Sequence, residues 1–199
     1  KISRRDVLQL ALMSSDNRAA ASLARTFEGG TAGFKAAVRA KIRSLGMKHT
    51  VIEEPTGLSP ANKSTAEDLV KMAAAAATYP TIVAMTTDAK DVIRINGRRV
   101  EYRNTNRLVG AKGWDIGLSK TGYTREAGRC LIMRITTAGK NATLVMLNAK
   151  SSSSRVLDAL NIRRFINSGE SPVIAKAAVR KPSMRKRAKV ASNKKRRRR

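Results

Sequence analysis

The residues best suited to chemistry stand in one short stretch, residues 119–124, where a cation, a hydroxyl group and a glycine follow one another. Residues 114–118 precede it with β-prone side chains on an alternating pattern, which predicts a strand. Lys120 places a positive charge beside the hydroxyl donor of Thr121, and Gly122 removes a side chain where a ligand could approach the backbone. Such a strand could hold an extended, anionic substrate along its edge. The tripeptide is common, however, and alone it also fits a strand that ends in a turn.

A second polar group, formed by Ser14, Ser15, Asp16 and Asn17, interrupts an apolar run near the start of the sequence. The apolar residues before it recur at helical spacing, and a second helix is expected from about residue 18 to residue 26. Short polar side chains compete with helical hydrogen bonds and therefore favour caps and turns. We place the group at a helix–helix junction, where it fits an ordinary N-cap as well as the wall of a site.

The remaining pattern predicts helices first, strands next and a helix last, which is an α+β fold. A third helix is expected to begin at a Thr31 cap and to end at Gly46, and a fourth to open at a capping box over residues 64–67. Asn96-Gly97 between two β-prone runs predicts a two-residue hairpin turn. Three antiparallel strands and a last helix are expected at residues 114–118, 130–136, 142–148 and 151–167.

The sequence is strongly basic, because 41 Lys and Arg against 14 Asp and Glu give a net charge of +27 over 199 residues. Thirteen basic residues and no acid lie from Lys176 onward, which leaves +14 on residues 1–175. The partner is therefore expected to be polyanionic: nucleic acid, an anionic membrane surface or a cell-wall polymer. An aromatic content of only 4% argues against a binder of single-stranded nucleic acid. Residues 171–199 are predicted to be a disordered basic tail after one domain over residues 1–170.

Metal and acid–base candidates are few. One cysteine, Cys130, and one histidine, His49, exclude an internal disulfide and a cysteine-rich metal site, and we expect neither a metal nor a cofactor. Cys130 is predicted to be a core thiol, and His49 is given no role. Glu53 and Glu54, adjacent in a turn-rich loop, are expected to be solvated or bonded to the backbone rather than to act as acid and base.

Several blocks of the sequence, in the right order, resemble one family of enzymes. They are residues 12–20, 54–59, 64–66, 103–106, 120–124 and 127–131. Ser15-x-Asn17 and Lys120-Thr121-Gly122 resemble two of the three motifs of penicillin-recognising serine enzymes. The blocks together are similar to the low-molecular-mass D-alanyl-D-alanine peptidases, endopeptidases among them, and the similarity covers about residues 2–169.

The resemblance implies a β-lactamase/transpeptidase-like fold, with a helical subdomain and an antiparallel sheet. It also implies an exported, periplasmic serine enzyme that cuts peptidoglycan cross-links through an acyl-enzyme and needs no cofactor. The partners would be peptidoglycan peptides, with β-lactam antibiotics as acylating inhibitors. The basic tail could add an anionic lipid or envelope polymer, and no specific nucleic-acid partner is expected.

Three residues would have catalytic roles by this resemblance. Ser15 resembles the hydroxyl that relays a proton to the leaving amine, and Asn17 resembles the amide that positions the substrate. Lys120 resembles the cation that tunes the local proton network and holds the carboxylate side of the substrate. Each role suits acyl transfer, which needs a proton route and a positioned substrate.

Substrate binding would use the same strand as Lys120. Thr121 would donate a hydrogen bond to the substrate carboxylate, and Gly122 would leave room for the substrate. The backbone N–H of Tyr123 would be one donor to the oxyanion.

The sequence departs from the family in one motif. No Ser-x-x-Lys precedes Ser15; the only matches, at residues 183–186 and 192–195, lie in the basic tail, where so many lysines produce them by chance. We expect the nucleophile helix and the first two strands of the family fold upstream of Lys1, and this chain to be inactive alone. The alternatives are a D,D-carboxypeptidase of the same family, a non-catalytic basic module on nucleic acid or envelope polymer, and a fragment with a degraded site.

Overall fold

The computed structural model describes residues 2–169, and the predicted basic tail over residues 171–199 lies outside this range. Five helices come first in the chain: α1 Arg4–Met13, α2 Asn17–Arg25, α3 Gly30–Ser44, α4 Ala66–Ala76 and α5 Pro80–Thr87. Five strands follow, and a sixth helix ends the described part: β1 Lys90–Ile95, β2 Arg98–Arg103, β3 Asp115–Thr124, β4 Gly128–Thr137, β5 Lys140–Ala149 and α6 Ser152–Ser168. This order confirms the predicted α+β fold.

The strands form two antiparallel sheets. β3, β4 and β5 make the predicted meander in the order β3-β4-β5, and β1 pairs with β2 as a separate hairpin. Both turn residues of that hairpin have positive φ, 49° at Asn96 and 81° at Gly97, as a primed two-residue turn requires. α6 packs on the meander, where Leu131, Met133 and Ala159 belong to the larger core cluster. The sheet that carries Lys120 therefore rests on a continuous apolar core.

The first two helices meet at the predicted polar junction. α1 ends at Met13, and Asp16 caps α2 by accepting a hydrogen bond from the backbone N–H of Ala19 at 2.9 Å. Between them Ser15 has φ 57°, a left-handed conformation that side-chain-bearing residues rarely adopt. A second core cluster, formed around Leu10, Ala19 and Ile93, packs both helices against the hairpin. The junction is thus held from both sides in a strained conformation.

Two predicted helix starts are wrong by one or two residues. Thr31 does not cap α3, because Gly29, at φ 71°, occupies the N-cap position without a side-chain hydrogen bond. α4 is capped by Thr65, whose hydroxyl accepts from the N–H of Asp68, whereas Ser64 shares a hydrogen bond of 2.7 Å with Thr50. In both cases a neighbouring residue offered the start of the helix a better backbone conformation or acceptor.

The sequence pattern did not predict α5, which begins with Pro80 in its first turn. Proline suits that position because its missing N–H needs no acceptor there. Among the described helices, none is long and apolar enough by itself to cross a membrane; α4 and α5 pass that test only together, and they meet at 110°.

Candidate active site

One open cavity of about 1130 Å³ collects most of the chemically promising residues. Its walls come from the α1–α2 junction, the loop at residues 55–58, the segment at residues 105–107, strand β3 and the start of α6. All six candidate residues from the sequence line it: Ser15, Asn17, Lys120, Thr121, Gly122 and Tyr123. The fold therefore brings the two sequence motifs to the same cavity.

The contact that joins the two motifs is a hydrogen bond from the Lys120 Nζ to the Ser15 Oγ, between residues 105 positions apart. Lys120 also donates to the carbonyl of Thr121 at 3.0 Å. Two neighbouring contacts tie the junction to the segment before β3: Ser14 donates to the carbonyl of Arg103 at 3.1 Å, and the N–H of Thr105 donates to the carbonyl of Met13 at 3.3 Å. The position of Ser15 is thus fixed by backbone and side-chain contacts.

The charge of Lys120 is destabilised by its surroundings. Burial lowers the pKa of Lys120 from 10.5 to about 8, because the ammonium group loses hydration. Its two acceptors are a hydroxyl and a carbonyl, and no salt bridge to it occurs within residues 2–169. A lysine with this pKa can give or take a proton near neutral pH, which is the property that acid–base chemistry needs.

The rest of the strand edge is set by residues to which the sequence assigned no role. The Thr121 hydroxyl donates to the Thr105 hydroxyl at 2.6 Å. Beside it the buried Asn106 donates to the Ser119 Oγ at 2.9 Å and accepts from the N–H of Leu108 at 3.1 Å. Thr105 and Asn106 belong to the block of residues 103–106 that carried part of the family resemblance, and that block was the signal that could have identified them.

Gly122, Tyr123 and Asn17 complete the predicted set. A Cβ on Gly122 would lie 3.8 Å from the Cβ of Cys130 on β4, an ordinary contact, so packing inside the sheet does not demand glycine there. Tyr123 is 57% exposed, and the Arg129 Cζ lies 4.4 Å from its ring centre. Asn17 is exposed at the first position of α2. The absent side chain at Gly122 keeps the cavity wall open beside Lys120.

Glu54 positions the loop at residues 55–58 and is not an acid–base group. Its carboxylate accepts hydrogen bonds from the N–H groups of Thr56 and Ser59, at 2.7 and 3.1 Å, and from the Asn62 amide at 2.9 Å. Burial by itself would raise the pKa of Glu54, but these donors to the charged form lower it to about 2. The prediction of a backbone-bonded glutamate is confirmed.

The family model and the similar curated proteins all describe D-alanyl-D-alanine peptidases. The family described as D-alanyl-D-alanine carboxypeptidase matches residues 1–151. D-alanyl-D-alanine endopeptidases of Pseudomonas aeruginosa and Escherichia coli are 45% and 44% identical over 180 and 181 residues, which is 89% and 90% of this chain. A D-alanyl-D-alanine carboxypeptidase of Bacillus subtilis is 30% identical over 153 residues, which is 76% of this chain and 39% of that protein.

Solved structures agree on the fold. The DD-transpeptidase of Streptomyces K15 is similar at a TM-score of 0.75 and 25% identity, over 81% of this chain and 66% of that one. Penicillin-binding protein D2 of Listeria monocytogenes, solved with cefotaxime bound, is similar at a TM-score of 0.70 and 27% identity. The match covers 81% of this chain and 65% of that one. These neighbours confirm the predicted transpeptidase-like fold class.

The chain spans 58% of the length of each of the two endopeptidases. The family match nevertheless covers most of the chain and includes both motifs that meet in the cavity. The resemblance inferred from the sequence is therefore confirmed, and the chain belongs to the D-alanyl-D-alanine carboxypeptidase family of peptidases.

Proposed function

We propose that the protein containing this chain is a peptidoglycan D-Ala-D-Ala endopeptidase that acts through a serine acyl-enzyme. The observation that carries the proposal is the hydrogen bond between Lys120 and Ser15 across the cavity, because it joins a lysine of lowered pKa to a hydroxyl. A hydroxyl bonded to such a lysine can pass a proton in either direction, as formation and hydrolysis of an acyl-enzyme require.

In this mechanism Ser15 delivers a proton to the leaving amine, and Lys120 supplies and reclaims that proton. Asn17, exposed on the facing wall, holds the peptide by its amide side chain. The mechanism needs each of these groups in the cavity, and each lines it. The nucleophile is a serine of a Ser-x-x-Lys motif, which residues 2–169 do not contain; we therefore propose that this chain alone does not turn over.

The substrate lies along the edge of β3. Thr121 turns its hydroxyl from Thr105 to the terminal carboxylate of the peptide, and Lys120 adds a favourable charge. Gly122 admits the peptide backbone, and the N–H of Tyr123 donates to the oxyanion. The cavity walls support this placement, because within residues 2–169 four cationic residues line them and Asp16 is the one carboxylate.

A D,D-carboxypeptidase is the second candidate, and the description of the family favours it. The identities favour an endopeptidase, since they are 44–45% for two endopeptidases and 30% for the carboxypeptidase of Bacillus subtilis. The two activities can be distinguished by assays with cross-linked dimers and with a linear pentapeptide as substrates. An endopeptidase cuts the dimers, whereas a carboxypeptidase releases free D-alanine from the pentapeptide.

Labelling by a fluorescent penicillin tests the serine mechanism. Because β-lactams are bound in structures of a family neighbour, we expect the product of the complete reading frame to be labelled covalently and this chain not to be. Replacing the serine of the upstream Ser-x-x-Lys by alanine should abolish the label. Labelling of this chain alone would show that the nucleophile has been misplaced, and an unlabelled complete protein would contradict the acyl-enzyme.

Export to the periplasm belongs to the same proposal, because peptidoglycan is the substrate. We also propose that residues 171–199 contact an anionic lipid or envelope polymer, on the strength of their charge alone.

A further inference from the structure

The β1–β2 hairpin has one face on the core and one face in solvent. Ile93 is 2% exposed and belongs to the second core cluster, and Ile95 and Tyr102 pack against that cluster. Alternate residues of a strand point to opposite faces, and the residues of the other face are all exposed. We call this other face the outer face of the hairpin; its members are Lys90, Val92, Arg94, Arg99, Glu101 and Arg103.

The single acid of the outer face is engaged at the base of the hairpin. Glu101 lies 3.2 Å from the Lys90 Nζ and 2.6 Å from the Arg103 Nη2. This leaves Arg94 and Arg99, which stand directly opposite each other in the register of the two strands. Within residues 2–169, no ion pair or hydrogen bond engages either of these side chains. Like charges directly opposite each other destabilise a sheet, so an anionic partner would relieve their repulsion.

The hairpin leads directly into the wall of the cavity. The carbonyl of Arg103 accepts the hydrogen bond from Ser14, and Thr105, two residues later, lines the cavity. Arg99 precedes Thr105 by six residues, which is at most about 20 Å along an extended chain. Neither Arg94 nor Arg99 lines the cavity. The two arginines therefore stand beside the cavity without forming part of it.

The chemistry of the outer face fits the carboxylates of a polymer better than a lipid surface. Arginine presents a planar fork of donors that matches a carboxylate. Elements that lie on a membrane surface combine their charges with large apolar or aromatic side chains, whereas the one apolar side chain of the outer face is Val92, 43% exposed. Peptidoglycan carries many peptides beside the one being cut, and those that are not cross-linked end in a carboxylate.

We propose that the outer face of the hairpin, through Arg94 and Arg99, binds carboxylate groups of peptidoglycan outside the cavity and holds the polymer beside it. This inference rests on the proposed function, because it takes the same polymer as the ligand. Small soluble peptides do not need the contact. Intact peptidoglycan gains from it, since a polymer held at the hairpin raises the local concentration of its peptides at the cavity.

Binding of the complete protein to purified, lipid-free peptidoglycan sacculi tests this surface. Arg94→Gln/Arg99→Gln should bind about tenfold more weakly, because two charged contacts at an exposed surface are lost. Lys41→Gln/Arg43→Gln is the matched control: it removes the same number of charges from the exposed last turn of α3 and should change binding by less than about twofold. Penicillin labelling should be equal in all three proteins, since none of the four residues lines the cavity. Equal losses of binding in the two double variants would overturn the proposal.

Chemical modification of the sacculi tests the ligand class. When carbodiimide coupling to methylamine has converted the carboxylates to amides, the wild type should bind no more tightly than Arg94→Gln/Arg99→Gln. A wild type that keeps its advantage on amidated sacculi would overturn the assignment to carboxylates. Vesicles containing anionic lipid are the second ligand. If the double variant loses vesicle binding and keeps full binding to sacculi, the partner is a membrane surface and the proposal is wrong.

Turnover separates this proposal from the proposed function. The double variant Arg94→Gln/Arg99→Gln should cut soluble cross-linked dimers at the wild-type rate, and intact sacculi at a subsaturating concentration about tenfold more slowly. Wild-type cutting of both substrates by this variant would overturn the hairpin surface and leave the proposed function standing. Hairpin-dependent binding to sacculi by a complete protein that cuts neither substrate would support the surface and refute the proposed function.

Discussion

At the scale of single residues, the site depends on a lysine whose charge is disfavoured by its place in the fold. Lys120 lies on a strand over the core, and its ammonium group meets the hydroxyl of Ser15 and a carbonyl in place of a carboxylate. A carboxylate would have stabilised the charge and raised the pKa, whereas these neutral acceptors leave the effect of burial in place. The absence of an acid beside Lys120, within residues 2–169, is what keeps its pKa near 8.

The lowered pKa of Lys120 predicts a particular pH dependence of stability. Between about pH 8 and 10.5 the unfolded chain keeps the proton on this lysine and the folded chain loses it. Stability contributed by Lys120 therefore rises with pH through that window, by at most about 3 kcal/mol. Urea unfolding across this range should show the rise in the wild type and lack it in Lys120→Met. Parallel pH profiles in the two proteins would contradict the lowered pKa.

Ser15 can be separated from its neighbour Ser14 by function. In the complete protein, Ser15→Ala should slow acylation by penicillin about a hundredfold or more, because the proton route through the hydroxyl is lost. Ser14→Ala is the matched control: its hydroxyl bonds the carbonyl of Arg103 and it does not line the cavity. Stopped-flow labelling measures both variants. Equal rates in Ser15→Ala and Ser14→Ala would remove Ser15 from the mechanism.

At the scale of elements, local chemistry predicted the turns and the strands better than the helix starts. Asn96-Gly97 fixed its hairpin because few other pairs tolerate two positive φ angles. Thr31 was a plausible cap, yet Gly29 took that position, since a glycine can enter the helix from a left-handed conformation. Helix starts are chosen among several neighbouring candidates, and tertiary contacts make the choice.

Residues of the candidate site could be predicted from the sequence only where they belong to a recognisable motif. Ser15 and Lys120 were found through their motifs, although the sequence could not show that they touch. Thr105 lay in a block that resembled the family, but its contact with Thr121, 16 positions away, was not visible in the sequence. Arg155, which also lines the cavity, had no such signal, because its burial and its hydrogen bond to the carbonyl of Cys130, 25 positions away, arise only in the fold. Nothing local distinguishes a buried arginine from a solvated one at the start of a helix.

The turn between β3 and β4 offers a prediction at this scale. A Cβ on Gly128, at φ 66°, would clash with the Asn148 Oδ1 and lie 2.9 Å from the Asn148 Cα, so the backbone of β5 would have to move. Gly139, in the next turn, has φ 70° and nothing within 4 Å of such a Cβ. Gly139→Ala should cost about 1 kcal/mol and Gly128→Ala about 3 kcal/mol or more. Denaturant midpoints measure both, and equal losses would contradict the close approach.

At the scale of the whole molecule, the positive charge falls into two parts of the sequence, residues 1–175 and residues 176–199. The first part has the family fold, and within residues 2–169 its cavity is lined by four cationic residues and one carboxylate. The last 24 residues carry thirteen cations without an acid and lie beyond the family match, which ends at residue 151. Ser15, Asn17 and Lys120 all lie in the first part, so the proposed attachment through residues 176–199 would not alter the chemistry.

Removal of residues 176–199 should therefore weaken binding to anionic surfaces and leave the cavity unchanged. We expect the deletion to weaken binding to vesicles containing anionic lipid at least about a hundredfold at low salt, because each basic side chain near such a surface contributes roughly 1 kcal/mol. Binding of the intact chain should fall steeply as salt screens the charges. Replacing the thirteen basic residues by glutamine at constant length is the matched control and should equal the deletion. Vesicle co-sedimentation over a salt series, repeated with lipopolysaccharide and DNA, measures all three; unchanged binding after the deletion would place the attachment in the body of the protein.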